Sequence, residues 1–353
     1  MVLQREVIAQ LPAYKQGAAP SSADVFKLSS NENPFPPLPS VVASVAEALG
    51  TIHLYPAMSA PTISQRVAEK FGVDVDNVAF GAGSVEVAAQ LIQASAGAGD
   101  EVIFAWRSFE AYPILVTVAG ATPVGVPLTA DDAHDLDAMA DAITERTRLI
   151  FVCNPNNPTG TGVSKAELEG FLAKVPTEVL VVIDEAYVHF NRDPHTAEGI
   201  DFFRRYPNVA VLHTFSKAYG LAGLRLGYAI AQPSVAANLR RVAVPFAVTD
   251  LAQRAAVASL DAEAELGERI DQIVAERARV SAELAAGGWK HADSLANFVW
   301  LRTGAQTDEV NAALTAHGVL ARAWSNEGIR VSIGSSEANS RFLAAMATLQ
   351  PTP

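Results

Sequence analysis

A single cysteine, Cys153, stands in a chain of 353 residues. Its solitude excludes an internal disulfide framework and a cysteine-rich metal site. Basic residues are also scarce, with 26 Lys and Arg against 38 Asp and Glu and a formal net charge of −12. That balance argues against nucleic-acid binding, which needs basic patches to displace counterions from phosphates, but leaves room for a locally basic pocket. No apolar run approaches the roughly eighteen residues a membrane span requires, so no membrane partner is expected. Met1 to Pro12 lacks a cationic segment followed by a long apolar one. No signal peptide is therefore expected, and a reducing cytoplasm fits. The seven histidines lack spacings such as His-Glu-x-x-His, so no metal site is expected. No fixed-period repeat or low-complexity tract is present.

What remains is a half-hydrophobic composition in a chain long enough to bury a large core, with two lobes sharing one site. Residues 1–40 are rich in Pro, Ser and Asn, including Asn31-Glu32-Asn33-Pro34 and Pro36-Pro37. They read as an extended N-terminal arm, docked through Leu11, Tyr14, Phe26, Leu28 and Phe35. From 41 to 240, nearly continuous apolar runs alternate with helical patterns. The runs are Val78–Phe80, Glu101–Trp106, Leu149–Asn154, Val179–Asp184, Val209–Thr214 and Leu226–Ile230. Strands apolar on both faces and separated by helices predict an α/β domain with a mainly parallel sheet between helices. Ser164 and Glu167 form a capping box that opens one of those helices. From 241 to 353 the texture changes to a smaller α+β lobe. Its pattern is a long helix at about 261–287, strands at Asn297–Leu301 and Ile329–Ile333, a helix at Asp308–His317 and a closing helix at Glu337–Leu349.

Four segments carry chemistry. Lys217 follows an apolar strand and precedes a loop of small residues, where α/β folds place ligands outside the carboxyl ends of strands. Burial and nearby cations lower a lysine's pKa and make its amine available as nucleophile or base. Arg225 is one such cation and can hold a phosphate bidentately, with Thr214 and Ser216 adding hydroxyls. Asp184 closes the run Val179-Leu180-Val181-Val182-Ile183, and a carboxylate buried there must be paired, cap a turn, or serve a function. A protonated pyridine nitrogen is one such pairing, because it lets the ring accept electrons from a carbanion. Tyr187 lies three residues on. Asn154-Pro155-Asn156-Asn157-Pro158-Thr159-Gly160 reads either as a tight turn or as a strand-end loop from which Asn157 donates to a phenolate-like oxygen. Gly81-Ala82-Gly83-Ser84 precedes a helix, where glycines admit a phosphate to the free amides and the dipole of the helix N-terminus. Cys153, inside a strand, reads as an inert small hydrophobe, and the Glu/Arg pattern at 262–287 as a solvated helix face.

Taken in order, these segments resemble the class I and II aminotransferases of the fold-type-I pyridoxal-phosphate superfamily, and within it the histidinol-phosphate aminotransferase subfamily. Leu54-Tyr55-Pro56, Asn297-Phe298-Val299 and Ile329-Arg330-Val331 extend the resemblance over nearly the whole chain. It implies a seven-stranded sheet in the large domain, pyridoxal 5'-phosphate as cofactor, and a homodimer. By the same resemblance, Lys217 is the Schiff-base lysine and Asp184 the partner of the ring nitrogen. Asn157 and Tyr187 serve the ring hydroxyl, and Gly83, Ser84, Val85, Thr214, Ser216 and Arg225 the phosphate. Tyr55 reaches the phosphate from the partner subunit. Arg330 takes the substrate carboxylate, while Arg322, Tyr14 and Asn33 line the substrate pocket.

Trp106-Arg107-Ser108-Phe109-Glu110-Ala111-Tyr112 departs from the subfamily's usual Pro-Thr-Tyr run and places Phe109 where an aromatic stacks on the cofactor ring. The segment is similar to an aromatic, or phenylalanine, aminotransferase branch. The expected reaction is ping-pong transamination of an aromatic amino acid with 2-oxoglutarate through the Lys217 Schiff base. Transamination of histidinol phosphate is the alternative. Decarboxylase or lyase chemistry on the same scaffold and a non-catalytic binding protein are more distant readings.

Overall fold

The computed structural model describes residues 2–11 and 17–351. Its centre is a seven-stranded sheet of β1 (Val78–Gly81), β2 (Glu101–Trp106), β3 (Thr122–Pro127), β4 (Thr147–Cys153), β5 (Leu180–Asp184), β6 (Val209–Thr214) and β7 (Gly227–Ile230), in the spatial order β1-β7-β6-β5-β4-β2-β3. Strands β3, β2, β4, β5 and β6 run parallel, while β7 is antiparallel to both β6 and β1. The central strands carry wholly buried valines, leucines and isoleucines because helices cover both faces. The expected mainly parallel sheet is therefore present.

The apolar-run criterion missed β3, which lies at the sheet's edge. Most of its residues are exposed, and it contains Pro123 and Pro127, which lack amide donors and are tolerated at an edge.

Two helices of the large domain border the site, α1 (Ser84–Ser95) and α2 (Ala111–Ala119), and α3 (Lys165–Leu172) follows the loop after β4. The capping box at α3 forms as expected, with Glu167 N–H donating to Ser164 Oγ and Ser164 N–H to Glu167 Oε2. Towards the C-terminus, α4 (Glu263–Ala286) precedes β8 (Phe298–Leu301), α5 (Thr307–Ala316), β9 (Arg322–Trp324), β10 (Gly328–Ser332) and α6 (Ser336–Met346). Strands β9, β10 and β8 form a small antiparallel sheet. The solvated-face reading of α4 holds for Arg279, which pairs with Glu276 and Glu283. It fails for Arg277, which is buried and donates to the carbonyls of Phe190 and Ala296. A guanidinium can cap carbonyls inside a core where a lone carboxylate could not.

The early segment contributes to a separate two-stranded parallel sheet. Phe26–Lys27 pairs with Val319–Leu320, and Leu28 and Asn31 are buried. Among the described residues, no helix is long and apolar enough to cross a membrane.

Candidate active site

The carboxyl ends of β5 and β6 and the amino end of α1 converge on a cavity of about 420 Å³. Ser84, Val85, Phe109, Asp184, Lys217 and Arg225 are among its lining residues, as are Asn157, Tyr187, Thr214 and Ser216. Sequence positions more than a hundred residues apart are thus brought onto one wall by the parallel sheet.

At one end, Gly83 is the N-cap of α1 and no side chain caps that helix. The amides of Ser84 and Val85 meet no acceptor among the described residues. Arg225 closes this end, its Nη1 donating to Ser216 Oγ at 3.4 Å and its Nη2 to Ala82 O at 3.4 Å. A Cβ on Gly83 would fall 2.2 Å from Arg225 Nη2, and one on Gly227 2.3 Å from Ser84 N. Both glycines are needed for backbone, helix start and guanidinium to close together. Unsatisfied amides, a helix dipole and a guanidinium make this end a cradle for a phosphate.

At the floor, Asp184 is only 4% exposed. Its Oδ2 accepts from the Tyr112 hydroxyl at 2.6 Å and its Oδ1 from Ala186 N–H at 3.2 Å. Burial pushes its pKa up to about 6, and the hydrogen bond from Tyr112 opposes that rise. Among the described residues no Lys, Arg or His forms an ion pair with it, so the carboxylate faces the cavity ready for a cation. A protonated pyridine nitrogen meets that requirement.

Lys217 stands across the cavity. Its Nζ donates to Ser30 O at 3.2 Å and lies 5.9 Å from the Tyr187 ring centroid. Burial, followed by the positive charge of Arg330, lowers its pKa to about 7. Tyr187 accepts a hydrogen bond from Asn31 Nδ2 at 3.0 Å, which leaves its own O–H to donate. Burial raises the Tyr187 pKa, so the hydroxyl stays protonated. Asn157 Oδ1 accepts from Arg330 Nη1, and Asn157 Nδ2 has no hydrogen bond among the described residues. Arg330 Nη2 donates to Ser29 O at 2.6 Å. Phe109 lines the cavity and meets Tyr112 edge-on at 5.5 Å. Cys153 also lines the cavity, but burial raises its thiol pKa, which agrees with an inert role.

A second cavity of about 290 Å³ adjoins the first, with Phe109, Asn157, Tyr187 and Lys217 common to both. Arg322, Arg330, Trp324 and Glu110 form its outer wall.

Two expected positions stand apart from both cavities, and a third lies outside the described residues. Asn33 does not line either cavity. Its Nδ2 donates to Lys217 O at 3.2 Å and Ala218 O at 2.9 Å, and its Oδ1 accepts from Phe35 N–H. Its whole amide is engaged with backbone and braces the lysine loop. Tyr55 is 83% exposed, its ring 4.6 Å from that of Phe246, and it lines neither cavity of its own chain. Tyr14 lies outside the described residues.

Tyr112, Asn31 and Glu110 were not assigned roles from the sequence. Tyr112 lies three residues beyond Phe109 at the start of α2, and that helical spacing was the available signal.

The sequence profile of the family described as aminotransferase class I and II matches residues 23–346. An aromatic amino acid aminotransferase of Cutibacterium acnes is 60% identical over 343 residues, covering 97% of each chain. One from Streptomyces avermitilis is 58% identical, covering 96% of this chain and 95% of its own. Among solved structures, a histidinol-phosphate aminotransferase from Sinorhizobium meliloti, in complex with pyridoxal-5'-phosphate, is similar with a TM-score of 0.88 and 26% identity. The match covers 97% of this chain and 96% of that one.

Proposed function

Because the chain belongs to the class I and II aminotransferases and shares their fold-type-I architecture, we propose that it transaminates aromatic L-amino acids with pyridoxal 5'-phosphate as cofactor and 2-oxoglutarate as amino acceptor. One observation carries this reading: the Lys217 amine and the Asp184 carboxylate face a single cavity that has a phosphate cradle at one end and aromatic walls at the other. The names of the two relatives above support the aromatic substrate.

The donor set fits the cofactor. Gly83, Ser84, Val85, Thr214, Ser216 and Arg225 would hold its phosphate, Asn157 and Tyr187 its ring oxygen, Asp184 its ring nitrogen, and Phe109 its ring face. Bound there, the cofactor supplies an aldehyde that condenses with amines and a ring that withdraws electrons from the carbon bearing nitrogen.

The chain's own residues do the rest. Lys217 Nζ, neutral above about pH 7, is the base that removes the proton from substrate Cα. Arg330 takes the α-carboxylate and so turns the Cα–H bond towards Lys217. Asp184 stays ionised through its bonds from Tyr112 and Ala186, and offers a negative charge to the ring nitrogen. Asn33 keeps the Lys217 loop in place. Both half-reactions use one cavity, so donor and acceptor follow one another and the kinetics are ping-pong.

We assign residues 1–40 as arm, 41–240 as the cofactor domain and 241–353 as the small domain. The exposed apolar side chains of Ile52, Leu54, Tyr55, Met58 and Val244 support a homodimer in which Tyr55 reaches the partner's phosphate cradle. Sedimentation at dimer mass, lost in a Tyr55→Asp, Leu54→Asp variant, tests the assembly.

The neighbouring histidinol-phosphate aminotransferase fold and the presence of two arginines on one wall favour histidinol phosphate as a second reading. Comparing kcat/KM for phenylpyruvate and imidazole-acetol phosphate, each with glutamate, decides between them. Preference for the aryl 2-oxo acid is expected, and preference for the phosphate ester would overturn the aromatic assignment.

A further inference from the structure

Strands β9 and β10 pair with Arg322 directly opposite Arg330, which sets two guanidinium side chains next to each other on the outer wall of the substrate cavity. Two adjacent cations are what a doubly charged phosphate needs. One acid stands among them. Glu110 is the N-cap residue of α2, yet its carboxylate makes no capping bond to that helix. It reaches across to β9 instead, where Oε2 accepts from Arg322 Nη2 at 2.7 Å and Oε1 from Trp324 Nε1 at 3.0 Å. The Arg322 guanidinium lies 5.3 Å from the Trp324 ring centroid, so the cation is held by the acid and the aromatic ring together.

The pair is well enclosed, with Arg322 and Glu110 side chains 16% and 27% exposed, so its charges are only partly screened by water. Two further cations near this wall are paired with other acids, Arg107 with Glu327 and Lys27 with Glu32. Glu110 is the acid that cancels Arg322.

We propose that Glu110 is a specificity-determining residue. By neutralising Arg322 and anchoring Trp324, it leaves Arg330 as the cation for the α-carboxylate and makes the Arg322–Trp324 part of the wall an aromatic surface without net charge, which admits a ring and disfavours a second negative charge on the substrate. This deepens the proposed aromatic transamination and rests on it. The discrimination is strongest against a phosphate dianion, which meets the Glu110 carboxylate before it can take Arg322. A dicarboxylate such as 2-oxoglutarate can use Arg322 only by displacing Glu110, so its KM carries part of the same penalty.

The test is the ratio of kcat/KM for histidinol phosphate to that for phenylalanine, read in single-turnover half-reactions of the cofactor-loaded enzyme. Glu110→Gln removes the charge while keeping the side chain's length, and is expected to raise the ratio about tenfold or more. It should also lower the KM for 2-oxoglutarate and tighten phenylphosphonate binding measured by calorimetry. Glu110→Asp restores the charge and should return the ratio towards that of the unmodified enzyme. A ratio that does not move in Glu110→Gln, or that moves equally in Glu110→Asp, overturns the inference while the aromatic activity stands. Loss of soluble protein in both Glu110→Gln and Glu110→Ser would make the pair a structural one and overturn it too. If the unmodified enzyme already prefers histidinol phosphate, the aromatic reading fails on its own account.

Discussion

The Tyr112 hydroxyl donates to Asp184 Oδ2 at 2.6 Å, inside the core beneath the cavity. Tyr112 is wholly buried and stacked on Phe151 with ring centroids 4.4 Å apart, so it has little freedom to leave that acceptor. A hydrogen bond to the charged form of a buried acid keeps it ionised against the desolvation that would protonate it.

Removing that donor should make Asp184 easier to protonate. Its pKa already stands at about 6, raised by burial and held down by Tyr112. In Tyr112→Phe the pKa rises further, by about one unit. Ionisation is lost as pH falls through the pKa, so the acid limb of the kcat/KM profile moves to higher pH. An unmoved acid limb would remove Tyr112 from this role.

Lys217 should govern capture of the cofactor. The neutral amine exists above its pKa of about 7. The rate of pyridoxal phosphate uptake by the cofactor-free protein, followed by near-visible absorbance, therefore rises with pH through about 7 and then levels off. Arg330→Gln removes a positive charge that lowers this pKa and should move the midpoint to higher pH. Lys217→Ala should show neither the absorbance nor turnover. Retention of both would refute the assignment.

Gly83 should tolerate no side chain. It sits at φ 84° and ψ 162°, a backbone region open essentially to glycine, and its missing Cβ leaves room for Arg225. Gly83→Ala is expected to destabilise the protein by about 1–3 kcal/mol in thermal melts. It should also weaken pyridoxal phosphate binding about tenfold or more, because the phosphate cradle opens. Wild-type affinity in a folded Gly83→Ala protein would count against the cradle.

Arg330 makes its contacts as a fork, with Nη1 on Asn157 and Nη2 on Ser29 O. Lysine keeps the charge but cannot reproduce that geometry. Arg330→Lys should raise the KM for phenylalanine about tenfold or more and lower kcat less. An unchanged KM in steady-state assays would remove Arg330 from the carboxylate site.

Much of the molecule was legible before any coordinates. Buried parallel strands are apolar on both faces, so β2, β4, β5, β6 and β7 announced themselves as continuous runs, whereas β3, an exposed edge with two prolines, carried no such signal. Lys217, Asp184, Asn157, Arg225 and Gly83 stood out because each interrupts or follows an apolar run with a residue type whose burial or backbone freedom requires a reason.

The partners of those residues were decided by the tertiary structure alone. Tyr112 meets Asp184 across 72 positions, Asn31 meets Tyr187 across 156, and Glu110 meets Arg322 across 212. Local pattern records whether a side chain is buried and which backbone it favours. Which acid neutralises which cation, and which hydroxyl serves which carboxylate, follows only from the packing of helix against sheet. That is why the candidate catalytic residues were legible in the chain and their partners were not.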